Sequence, residues 1–240
     1  MFMILNSMSS KSATGGFSPS DISNLKVWYD ATDVLSGAEP SADAPIGGAG
    51  ALWQDKSGNG WNLSQSTGTR QPLYKTNIIN GLPGIKLDGT DDYLLNTSVV
   101  VSQPNTWIYV ISGGLANDKF LMDGDRITDR QVITCYFVNN NWMIFAGTVS
   151  DQTINATTTN ATVLVATFNG SASIIKANAS EDTGLAAGSG SLDGLIIGAR
   201  YSITQFGNSY LHEILCYENL SAENQTTVEN YLKTKWGITY

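Results

Sequence analysis

Residues 131–148 read QVITCYFVNNNWMIFAGT. Two runs rich in β-branched and aromatic residues flank Asn139-Asn140-Asn141, and asparagine tolerates the positive φ that a tight hairpin turn requires. The pattern predicts two antiparallel strands joined by a hairpin. The same rhythm extends to both sides. LKVWYDA (25–31), GIKLDG (84–89), TWIYVIS (106–112) and KFLMD (119–123) precede it; ATVLVATF (161–168), ASIIKA (172–177), GLIIGA (194–199) and YLHEILCYE (210–218) follow. Each run is bounded by Gly, Asn, Asp or Ser. In TWIYVIS both alternating faces are apolar, as for a strand covered on two sides. Short strands with regular turn punctuation predict an all-β sandwich or barrel.

One helix is expected, at the C-terminal end. Ser221 is a good N-cap, and Val228, Tyr231, Leu232 and Trp236 fall at helical spacing on one stripe. Lys233 and Lys235 suit the negative end of the helix dipole, and Gly237 is placed to terminate it. That stripe should pack on the sandwich. Ser18-Pro19-Ser20-Asp21 predicts a single turn of helix before the first strand. The Gly-rich residues 35–50 predict a surface loop.

Composition narrows the function. Of 240 residues 42% are apolar, enough for a sizeable core, while 14% are charged against about 25% in an average soluble chain. Thirteen scattered basic residues within a net charge of -8 exclude a nucleic-acid partner. Six Trp, ten Tyr and seven Phe exclude disorder. No apolar run approaches the roughly 18 residues of a membrane span. The opening MFMILNSMSSKS lacks a basic n-region, so no secretory signal is expected. Residues 1–17 are taken as an N-terminal arm and 18–240 as a single domain. Cys135 and Cys216 lie in apolar strands and are expected as buried free thiols.

Two loop clusters could carry chemistry. Trp53-Gln54-Asp55-Lys56-Ser57-Gly58-Asn59-Gly60-Trp61-Asn62 reads either as an Asp55-capped turn anchored by two tryptophans or as a calcium loop. Asp88, Asp91 and Asp92 crowd a second loop, where solvent or a cation must offset their repulsion. Trp28, Trp53 and Tyr93 are expected to anchor loops or core, leaving Trp61 and Trp142 as candidate platforms for a glycan. Catalytic signals are sparse. His212 is the sole histidine and alternation places it on the face opposite Leu211 and Glu213. There is no Gly-x-Ser-x-Gly elbow, no cluster for zinc, and no E-x-D-x-x-E arrangement for glycoside hydrolysis. No enzyme is expected.

Taken in order, VWYDA (27–31), WQDKSGNG (53–60), QPLY (71–74), NGLPGIKLDGTDDYL (80–94) and HEILCYENLSAENQTTVENYLKTKWG (212–237) resemble the laminin-G-like, concanavalin A-like jelly-roll domain. The variety is the one found in bacteriophage virion proteins and bacterial surface proteins. The resemblance implies two antiparallel sheets, with calcium near a loop rim and glycan or protein binding there. Phe206-Gly207-Asn208-Ser209-Tyr210 departs from the family pattern, in which a Gly is followed shortly by an Asp. The expectation is a non-catalytic structural or decoration protein of the phage particle surface, assembled in the host cytoplasm. It would contact other virion proteins through the arm, or a second copy of itself. The alternative is a carbohydrate-binding adhesin or receptor-binding module that meets host-surface glycans. At most one Ca2+ is expected, ligated from Asp55, Asp88, Asp91 and Asp92.

Overall fold

The structure is a computed structural model and describes residues 16–37, 39–115, 118–135, 139–149, 153–156 and 160–240. Within them the strands are β1 (Leu25–Asp30), β2 (Leu73–Ile79), β3 (Leu82–Lys86), β4 (Leu94–Val101), β5 (Asn105–Ser112), β6 (Phe120–Asp123) and β7 (Val132–Cys135). They continue with β8 (Trp142–Phe145), β9 (Thr162–Phe168), β10 (Ser173–Ala177), β11 (Ser180–Leu185), β12 (Leu192–Ile197) and β13 (Tyr210–Glu218), before helix α1 (Ala222–Trp236).

Two open antiparallel sheets make the sandwich, so of the two expected architectures the barrel is excluded. The larger runs β11-β10-β9-β5-β13-β3-β2, with β1 also pairing β13; the smaller runs β4-β12-β6-β7-β8. The two runs that flank the Asn triplet pair as expected, Cys135 with Trp142, and Asn140 takes φ of 59°; residues 136–138 of the expected strand lie outside the described residues. Central β5 is buried at every residue, which is why both its faces are apolar. Between the sheets lie Trp53, Trp107, Trp142, Tyr29 and Tyr109, none more than 2% exposed. Each ring that leaves water this completely contributes roughly 1.5–3 kcal/mol. Cys135 and Cys216 are free and buried.

Three strands escape the sequence pattern, β2, β4 and β11, and all three stand at sheet edges. Edge strands bury only part of one face, so their apolar signal is diluted by residues such as Lys75, Asn77, Asn96 and Glu181. Alternation also misplaces His212. Register slips between Leu211 and Glu213 against β5, so His212 is the extra residue of a bulge, and all three side chains are buried. His212 Nε2 lies 2.8 Å from Ser112 Oγ and Nδ1 lies 2.8 Å from the Pro83 carbonyl. Its ring sits so close to β3 that a Cβ on Gly84 would meet Cε1 at 2.7 Å.

Helix α1 begins as read. Ser221 Oγ accepts from the Asn224 amide at 3.2 Å, and Gly237 closes the helix with φ of 64°. Val228, Leu232 and Trp236 are buried while Tyr231 is half-buried. What fixes the helix is Glu213, fully buried on β13. It accepts from Trp28 Nε1 at 2.9 Å, Tyr231 OH at 3.0 Å, Lys235 Nζ at 2.8 Å and Trp236 Nε1 at 2.8 Å. Lys235 also pairs with Asp30 at 2.7 Å, so one ammonium bridges β1, β13 and the helix. Burial pushes the Glu213 carboxyl up, with Lys235 opposing. Burial acts likewise on Asp30, but Lys235 and Thr32 outweigh it and hold that carboxyl below its ordinary value.

Of the arm expected over 1–17, residues 1–15 lie outside the described residues; Phe17 packs edge-on against Tyr231 at 5.5 Å. Among the described residues no helix is long and apolar enough to cross a membrane.

Candidate functional site

The outer face of the five-stranded sheet carries a cleft of about 490 Å3. Period-2 alternation builds its floor. Ile133, Trp142 and Ile144 point into the core, so Val132, Thr134, Met143 and Phe145 of the same strands face outward, and Cys135 at the end of β7 borders both core and cleft. On β6 a bulge at Leu121 leaves Phe120 on the outer face. The walls are polar: Asp118 precedes β6, Arg130 precedes β7, and Arg200 and Gln205 belong to the turn between β12 and β13. That turn is held by the Arg200 amide on Thr204 O at 3.0 Å and docked by the Phe120 amide on Gln205 O at 3.1 Å.

Arg130 is locked in place. Its Nε donates to Asp123 Oδ1 at 2.7 Å and its Nη2 to Oδ2, while the Tyr201 amide donates to the same Oδ2 at 2.9 Å. Asp123 is fully buried, and the two-toothed pairing supplies the charge that its desolvation demands. Arg130 also lies over Phe145 at 5.5 Å and over Tyr201 at 4.5 Å. The result is an apolar aromatic floor with planar donors and acceptors around it. A sugar ring needs that combination, since its C–H face packs on apolar rings while its rim hydroxyls need fixed partners.

The tryptophan candidates do not reach this cleft. Trp142 is 2% exposed on the core side of β8 and presents no face to a ligand, because the strand turns its neighbours Met143 and Phe145 outward. Trp61 is partly exposed beside the Asp55 turn. Its amide donates to Asp55 Oδ2 at 3.1 Å and its carbonyl accepts from Tyr29 OH. The sequence signal for the cleft was the strand alternation itself, with Arg130 and Arg200 hidden in unassigned loops.

A calcium site shared by the two loops is not what the residues build. Asp55 accepts from the Trp28 amide at 3.1 Å, the Ser57 amide at 3.0 Å, Ser57 Oγ at 2.8 Å and the Trp61 amide at 3.1 Å. Its oxygens are thus consumed as a turn cap. Among the described residues the acids whose oxygens come within 4.8 Å of one another are Asp88, Asp91 and Asp92, without Asp55. Asp88 Oδ1 accepts three amides, from Thr90, Asp91 and Asp92, and these hold its carboxyl low against the effect of burial. Burial and the neighbouring Asp88 push Asp92 up to about 6.

No protein-family model matches the chain, and no curated protein does. Solved structures share the fold. Domain 4 of AbnA, a GH43 extracellular arabinanase from Geobacillus stearothermophilus solved with arabinotriose, aligns with TM-score 0.57 at 14% identity over 85% of this chain and 98% of that one. An arabinofuranosidase solved with arabinofuranosyl-alpha-1,2-xylobiose aligns with TM-score 0.62 at 12% identity, over 88% of this chain and 63% of that one. A Trypanosoma rangeli sialidase aligns with TM-score 0.53 at 11% identity, over 89% of this chain and 33% of that one. The chain therefore spans less than two thirds of both whole enzymes. These likenesses support the lectin-like jelly roll. They overturn the reading that set the chain apart from enzymes: glycoside hydrolases contain this fold, so a missing catalytic motif does not separate the chain from them.

Proposed function

We propose that the chain is a carbohydrate-binding module whose ligand lies in the outer-sheet cleft. The observation that carries this is the cleft's make-up: the half-exposed ring of Phe145 beside Arg130, Arg200, Asp118 and Gln205. The arabinanase domain, which this chain nearly covers and which was solved with arabinotriose, supports the same reading. Phe145 supplies the stacking face, the Arg130–Asp123 pair keeps the floor rigid, and the wall groups select hydroxyl positions.

Calorimetric titration with arabinotriose and a panel of oligosaccharides tests it. The protein should bind at least one of them, and Phe145→Ala should weaken that binding by about tenfold or more, the range of one lost aromatic contact. Phe145 is not a core residue, so thermal stability should change little. Undiminished binding in Phe145→Ala would move the site elsewhere. Placement on a phage particle is a separate proposal that rests on the sequence resemblance; mass spectrometry of purified particles tests it.

A further inference from the structure

The two arginines of the cleft differ in what balances their charge. Arg130 closes its Nε–Nη2 edge on Asp123. The guanidinium of Arg200 has no such partner: Nη1 donates to Gln205 Oε1 at 3.0 Å, and Nε is shut from water with no acceptor. Among the described residues no carboxylate comes within 4.0 Å of it, although Lys26, Lys56, Arg70, Lys75, Arg126, Arg130, Lys176 and Lys235 all have an acid. The other described cations without an acid, Lys86, Lys119 and Lys233, do not line the cleft. Both guanidinium groups face the Tyr201 ring, at 4.5 Å for Arg130 and 5.1 Å for Arg200, so two cations share one small region and only one carries its own counter-charge.

We infer that the saccharide bound here carries a carboxylate, as a uronic acid does, and that Arg200 receives it. This rests on the reading of the cleft as a saccharide site. A guanidinium matches a carboxylate in shape and charge, and the contact is stronger than one to a hydroxyl. The open end of Arg200 faces a cleft whose walls exclude part of the solvent, where such a pair is screened less than at the open surface. Asp118 fixes the orientation. It lines the same cleft and forms no ion pair with Arg200, so charge alone draws the acid of the ligand toward Arg200 and away from Asp118.

Titrating the full chain with oligogalacturonate, its methyl ester and arabinotriose, at low and high salt, tests the inference. Oligogalacturonate should bind about tenfold more tightly than its ester, the advantage should shrink at high salt, and Arg200→Gln should bring acid and ester to equal binding. Asp118→Asn should strengthen binding of the acid. Equal binding of acid and ester by the unaltered protein overturns the carboxylate and leaves the saccharide site standing. Absence of binding by acid, ester and arabinotriose together overturns both.

Discussion

His212 is enclosed on every side: Ser112 Oγ at one nitrogen, the Pro83 carbonyl at the other, and the Trp236 ring at 5.2 Å. A donor at Nδ1 leaves Nε2 as the acceptor for Ser112, so the neutral ring satisfies the pocket. Burial lowers its pKa to about 4. The unfolded chain takes up the proton near pH 6.5, so stability from this group is full above that pH and is lost as pH falls toward 4, by roughly 3 kcal/mol. Urea unfolding at neutral pH and near pH 4 should show a larger loss in the native chain than in His212→Gln; an equal loss would show that the ring charges freely. Asp55 is the other decisive residue. Removing its four donors' acceptor with Asp55→Ala should cost about 2 kcal/mol or more. The shift in melting temperature between millimolar calcium and excess chelator should be the same in Asp55→Ala as in the native chain, because the Asp55 oxygens are occupied by three backbone amides and Ser57 Oγ; a smaller shift in the variant would make Asp55 a ligand, and an ion in hundredfold excess over its dissociation constant adds about 2.7 kcal/mol. At this scale the sequence was readable where one residue type serves one backbone need, as Ser221 and Gly237 do. At Trp142 size and polarity single out the tryptophan, while strand phase turns its ring into the core and Met143 and Phe145 to the other face.

At the scale of elements, helix α1 and the central strands were legible because each buries a full apolar stripe or two apolar faces. The edge strands were not, since solvent and polar side chains blur their period. Nor was the Glu213 cluster, which joins residues from positions 28 to 236 and has no local signature. Trp236→Ala should cost roughly 3–5 kcal/mol, through the lost ring and the unmade bond to Glu213. Glu213→Gln should cost a similar amount, about 3–5 kcal/mol, because four donors lose their shared carboxylate in a buried site and Lys235 keeps only Asp30. Because the two residues touch, their double variant should lose less than the sum. Strict additivity in chemical denaturation would show that helix and sheet are not coupled there.

For the whole molecule, helix α1 docks on β13 of the larger sheet, and the cleft lies against the smaller one, where Val132, Thr134 and Met143 are buried in its floor and Phe145 is half-buried. The fold was readable in the sequence because patterning and turn chemistry act everywhere along the chain. The cleft was not, because its walls come from loops around positions 118, 130 and 200 that only the folded sheet brings together. An isotope-labelled sample followed by amide NMR during titration with arabinotriose and oligogalacturonate tests the central claim most directly. The account predicts shifts concentrated in β6, β7, β8 and the turn at 199–206, with the 53–62 and 88–92 loops unmoved. Shifts centred on Trp61 and the Asp55 turn, or none with either ligand, would contradict it.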